Sequence, residues 1–74
     1  MLQSSDVTRL TYYDEDCVFF RNIMQSIKYI EWGARLVDLF VDGEHKLVFV
    51  FFKEDHDKLK LKWGRNYEER RESI

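Results

Sequence analysis

Leu47-Val48-Phe49-Val50-Phe51-Phe52 is an unbroken apolar run of six residues. All of it but Leu47 is β-branched or aromatic, which suits a pleated strand far better than a helix. Upstream, Leu36-Val37-Asp38-Leu39-Phe40-Val41 is nearly as apolar, and Asp42-Gly43 lies between the two runs. Asp-Gly between strand-forming residues signals a hairpin, because both positions of a two-residue turn must tolerate positive φ. That turn predicts a register in which Val41 faces Glu44, Phe40 faces His45 and Val37 faces Val48. One face then carries Leu36, Phe40, Leu47, Phe49 and Phe51, with Asp38 as its polar exception. The other carries Val37, Leu39, Val41, Val48, Val50 and Phe52. A hairpin with one wet face alternates apolar with polar residues. Here both faces need a cover.

The candidate cover for one face lies upstream. Phe20, Ile23, Met24, Ile27 and Ile30 recur at three- and four-residue steps, the spacing of an amphipathic helix. Asp14 is a suitable N-cap, Glu15 and Asp16 suit the positive end of the helix dipole, and Gly33 suits its end. The expected helix is 15–32, with the stripe buried and Gln25 outside. Before it, residues 7–13 read as a strand, and 1–6 as a frayed end. After the hairpin, 53–57 reads as a polar turn. Lys58-Leu59-Lys60-Leu61-Lys62-Trp63 alternates strictly and reads as a half-buried strand. Residues 67–74 read as a short helix or a mobile tail. The expected fold class is α+β: one amphipathic helix packed on a small, mainly antiparallel three- to four-stranded sheet, in the order β-α-β-β-β or α-β-β-β. With no proline, repeat or low-complexity tract, 1–74 reads as a single small domain.

Composition narrows the setting. The chain has 74 residues, 45% hydrophobic and 16% aromatic, enough for a core without disulfides. A single Cys17 cannot form an internal disulfide and fits a reducing compartment. No apolar run is long enough to span a bilayer, and residues 1–6 lack the basic and apolar regions of a signal peptide. Cytoplasmic residence, with no membrane partner, is the expectation. Net charge is −2, but residues 1–57 hold eleven acids against six bases, whereas 58–74 hold six bases against three acids. Any affinity for anions is therefore concentrated in the last quarter.

The residue types capable of chemistry have simpler readings. Asp14-Glu15-Asp16 beside Cys17 holds metal-ligand types, but adjacent acids fan around a helix and serve better as its caps. Cys17 reads as a structural, partly buried thiol. Glu54-Asp55-His56-Asp57 lacks the spacing of any metal loop and reads as a solvated turn. Lys58, Lys60 and Lys62, with Trp63 and Arg65, form a candidate nucleic-acid strand, lysines on phosphates and an aromatic on a base. Edge protection explains the same lysines.

Asp38 or Asp42 followed by Glu44-His45-Lys46 resembles the core of metal-dependent nucleases of the PD-(D/E)xK type. The resemblance spans Asp38 to Lys46 and implies that the carboxylates hold Mg²⁺ while Lys46 positions the attacking water. The chain departs from that family: no proline precedes either Asp, the acids straddle a turn, and little remains for a helix-flanked sheet. The strand order also resembles that of a double-stranded RNA-binding domain, in topology alone; Tyr67–Glu72 is not lysine-rich. No Ser/His/Asp arrangement or phosphate-binding glycine loop is present.

The reading that absorbs most of these features is a small non-enzymatic protein–protein interaction module without cofactors. It self-associates as a homodimer, or binds a protein partner, through the surplus face Val37, Leu39, Val41, Val48, Val50 and Phe52; the competing arrangement folds residues 7–13 or the C-terminal tail over that face and seals a monomer. A regulatory or inhibitory subunit is the kind of protein it describes. The alternative is a nucleic-acid-binding module using 58–65, and the third reading is a minimal metal-dependent nuclease.

Overall fold

A computed structural model describes the backbone of residues 1–72 and the side chains of residues 1–65. The central strand is the predicted one. Leu47–Phe52 runs between two antiparallel neighbours, Cys17–Phe20 and Asp38–Val41. In chain order the elements are β1 (Leu2–Ser4), β2 (Thr11–Tyr13), a 3₁₀ turn (Asp14–Asp16), β3 (Cys17–Phe20), α1 (Ile23–Glu31), β4 (Asp38–Val41), β5 (Leu47–Phe52) and α2 (Lys53–Glu72). The fold is α+β, a helix packed on a small antiparallel sheet, with a second helix and a separate two-stranded hairpin added.

β5 is apolar throughout because it is central: β3 and β4 pair with its two edges, and layers cover both its faces. On one face Val18, Phe20, Leu39, Phe49 and Phe51 gather with Tyr29, Trp32, Ala34 and Leu36 and with Leu59 and Trp63 of α2. On the other, Val37, Val48 and Val50 pack with Cys17 and Tyr12, with Phe52 at the margin. The N-terminal hairpin β1–β2 is thus the second cover. It pairs Leu2 with Tyr13 and Ser4 with Thr11, and its Thr8 hydroxyl donates to the Val37 carbonyl at 2.6 Å. Residues 1–6, expected to fray, include β1. Of the expected tail, 67–72 continues α2, and Ser73 and Ile74 lie outside the described residues.

The hairpin between β4 and β5 turns differently from the two-residue expectation. Asp42 and Lys46 close it, Asp42 N donating to Lys46 O at 2.9 Å, and Gly43-Glu44-His45 form a three-residue loop. The Asp42 carboxylate accepts from Glu44 N at 2.8 Å and Lys46 N at 3.0 Å, and the left-handed residue is His45, φ +61°. An Asp side chain that captures the amides after it favours this turn, and histidine tolerates the left-handed region better than most residues. Val41 therefore faces Leu47, not Glu44. The slip is three residues, an odd number, so β5 residues change places relative to the β4 face they share. Phe40 shares a face with Val48 and Val50, and Leu39 with Phe49 and Phe51. Val37 donates to Val50 O at 2.8 Å although Asp38 is Val50's partner, the two-against-one pairing of a β-bulge that lets Val37 and Asp38 face the same side.

Two other expectations are corrected. The predicted helix 15–32 is 23–31, because Cys17-Val18-Phe19-Phe20 is itself a β-type run and pairs with β5. Asn22, not Asp14, is the N-cap, accepting from Gln25 N at 3.1 Å. Asn22→Ala is expected to cost about 1 kcal/mol in urea unfolding. Gly33 does end the helix: at φ +95° it lets Gly33 N reach Ile30 O (3.1 Å) and Ala34 N reach Tyr29 O (2.9 Å), a Schellman motif. The alternating segment 58–63 is also not a strand. It lies within α2, where His56, Leu59 and Trp63 recur at three- and four-residue steps and face the core. No glycine or proline separates β5 from it, so 53–57, expected as a polar turn, is instead the start of α2, and Lys, Leu and Glu are good helix formers.

Candidate interaction surface

The orientation of α1 follows from the residues it buries. Ser26 and Tyr29 are fully buried. The Tyr29 ring meets Phe20 edge-on at 5.5 Å and Phe51 at 5.6 Å. Its hydroxyl sits 2.9 Å from His56 Nδ1 of α2 and accepts from Gln25 Nε2 at 3.3 Å. The Ser26 hydroxyl donates to Asn22 O at 2.8 Å, so this small polar residue is satisfied while it lies against the core. Burial pushes the Tyr29 phenol above its ordinary range. Ser26 and Tyr29 thus form the inward face, with the capping Asn22 exposed at its start.

The opposite face holds the apolar stripe. Ile23 is 50% exposed, Met24 47%, Ile27 42% and Ile30 42%. The period read in the sequence is right and its phase is reversed: the expected buried stripe faces out, and only Phe20, on β3, packs inward. The signal for the reversal was present. Tyr29 and Trp32 form a second apolar line on the helix, and large aromatic rings fill the core better than the isoleucines. The start of α1 is tied down by Arg21, whose Nη2 lies 2.5 Å from Asp42 Oδ2 and whose Nη1 lies 3.4 Å from Glu44 Oε2. With the amides of Lys46 and Glu44, this guanidinium holds the Asp42 carboxyl below its ordinary pKa. The stripe is therefore presented on an anchored helix.

The residues expected to form a sheet interface are divided by the fold. Val37, Val48 and Val50 are buried under the N-terminal hairpin, with Phe52 beside them, and in this fold they cannot also meet a second chain. Leu39 lies on the helix side, and Val41 is exposed at the end of β4. The basic residues are likewise spread. On a helix Lys60 lies nearly opposite Lys58 and Lys62. Lys58 pairs with Glu54 and Lys60 with Asp57, each at 3.3 Å, and the Lys62 ammonium stands 4.6 Å over the Trp32 ring. Trp63 packs on the core, leaving Arg65 exposed.

The residues of the nuclease-like pattern are also separated. Asp38 is buried and accepts from the Tyr12 hydroxyl at 2.5 Å and from Leu39 N at 2.8 Å, whereas Asp42 and Glu44 are engaged with the turn and Arg21. Among the described residues no group of three or more His, Cys, Asp or Glu side chains is placed to hold a metal ion. Cys17 is buried, and burial together with Asp16 and Asp14 pushes its thiol pKa up, which disfavours the reactive thiolate. An open cleft of about 380 Å³ on the hairpin side is lined by Tyr12, Phe19, Asp38 and Phe40 among others, with the two Phe rings edge-to-face at 6.4 Å. No helix among the described residues is long and apolar enough to cross a membrane. Compared with models of known protein families, with curated proteins and with solved structures, the chain matches none.

Proposed function

We propose that this chain is a small non-enzymatic interaction module that docks onto another protein surface through the outward stripe of α1, as a regulatory or inhibitory subunit would. The observation that carries the reading is the exposure of Ile23, Met24, Ile27 and Ile30 on one side of a helix whose other side completes the core. Folding alone does not require four large apolar side chains there, and contiguous patches of this kind mark sites of association. Cytoplasmic residence belongs to the same proposal and is supported by the single, buried Cys17. Labelled wild-type protein should sediment heavier than its 9.1 kDa chain mass, either alone or in an extract of the cells that make it. Ile23→Ser/Ile27→Ser should return it to that mass while remaining folded. A wild type that stays at chain mass in both media contradicts the reading.

A further inference from the structure

Within the interaction reading just given, on which this inference rests, we propose that the occupant of the α1 stripe is a second copy of the chain. The two α1 helices lie antiparallel across a two-fold axis near Ile27. Ile23, Ile27 and Ile30 follow one another at steps of four and three, the seam spacing of two helices packed along each other. An antiparallel copy centred on Ile27 sets that residue against itself and Met24 against the partner's Ile30. The stripe is thus complementary to its own image, as a two-fold interface requires.

Charge selects the orientation. α1 has no acidic residue in its first turn, and Arg21 stands half-exposed just before it. Antiparallel docking carries Glu31, at the end of one helix, to the start of the other. There the helix dipole favours a carboxylate, while Arg21 is already paired with Asp42 and Glu44 of its own chain. Glu31 is exposed, and its partner within the chain is Lys28 at 3.0 Å. Parallel docking would instead bring Arg21, Lys28 and Glu31 each towards its own copy, like charge facing like. Size sets the strength. The stripe offers on the order of 300 Å² of apolar surface per copy, on a helix about 13.5 Å long. Two such stripes bury about 600 Å² of apolar surface and, even with a polar rim, less than the roughly 1,200 Å² at which stable specific interfaces begin, so the dimer is a weak one of micromolar strength at best.

Two measurements test the proposal. Purified wild type alone should sediment at twice the chain mass at tens of micromolar and dissociate on dilution. In the second, Ile27→Cys and Glu31→Cys are each oxidised with glutathione disulfide. A disulfide needs Cα atoms within about 7 Å, so Ile27→Cys on the axis should cross-link at least tenfold faster than Glu31→Cys, which faces the partner's Ile23. Buried Cys17 should contribute nothing to either. A wild type that is heavier only in cell extract overturns self-association while the interaction reading stands. One at chain mass in both media overturns both. A dimer in which Glu31→Cys cross-links as fast as Ile27→Cys overturns the antiparallel arrangement.

Discussion

Phe51→Ala is expected to cost about 3–5 kcal/mol, enough to leave a domain of this size largely unfolded at room temperature. Phe51 is fully buried on the central strand, its ring 5.6 Å from Tyr29 and 5.9 Å from Phe20. It is where β3, α1 and α2 converge, since Val18, Leu59 and Trp63 belong to the same cluster. Removing the ring leaves a cavity bounded by three elements that are themselves linked through Tyr29 and His56, so collapse around it is limited. Urea unfolding followed by circular dichroism reads the effect, and Phe51→Leu, which keeps most of the volume, should cost less. A loss below about 1 kcal/mol for the alanine variant would mean that α1 and α2 do not seal that face of the sheet.

Asp38→Ala is expected to cost roughly 2–4 kcal/mol at neutral pH, because it strips a charged acceptor from buried donors. The Tyr12 hydroxyl and Leu39 N–H both donate to this carboxylate, and the Ser5 hydroxyl also favours its charged form. Burial alone would raise its pKa; the bonds from Tyr12, Ser5 and Leu39 outweigh burial and hold it below the ordinary 3.8. The sign of the pH dependence follows. A carboxyl whose folded pKa is depressed contributes stability that is fully present above its unfolded pKa. That contribution disappears as pH falls through the folded value. Wild-type stability should therefore decline below about pH 4, and Asp38→Asn, which cannot titrate, should show a shallower decline. Tyr12→Phe should lose less than Asp38→Ala and should raise the Asp38 pKa. An acid profile for Asp38→Asn that superimposes on the wild type would show that this carboxylate does not couple folding to pH.

How much of this was legible depends on how local each signal is. The apolar run Leu47–Phe52 reads directly as a strand, and its being apolar on both faces correctly demands two covers. Gly33 ends α1 because that requirement is purely conformational. What the sequence hides is set by competition between neighbours. Cys17–Phe20 joins the same 3.6-residue pattern as Ile23–Ile30, and only pairing with β5 separates strand from helix. Asp42 decides the hairpin register through two side-chain hydrogen bonds, and a turn read by its Asp-Gly pair alone slips by three residues. Lys58–Trp63 fits both a period of two and a stripe at Leu59 and Trp63, and short alternations do not discriminate between them. The candidate surface shows the same limit. Periodicity finds the stripe but not which side of the helix meets the core, which Tyr29 decides through contacts with residues far away in sequence.

α1 packs through Ser26 and Tyr29 and leaves its isoleucines outside. Urea unfolding of Ile27→Glu at sub-micromolar concentration, where association is dilute, tests it most directly. The expected stability is within about 0.5 kcal/mol of wild type, as for an exposed position. A loss above about 2 kcal/mol, the signature of a charge forced into a core, would contradict it.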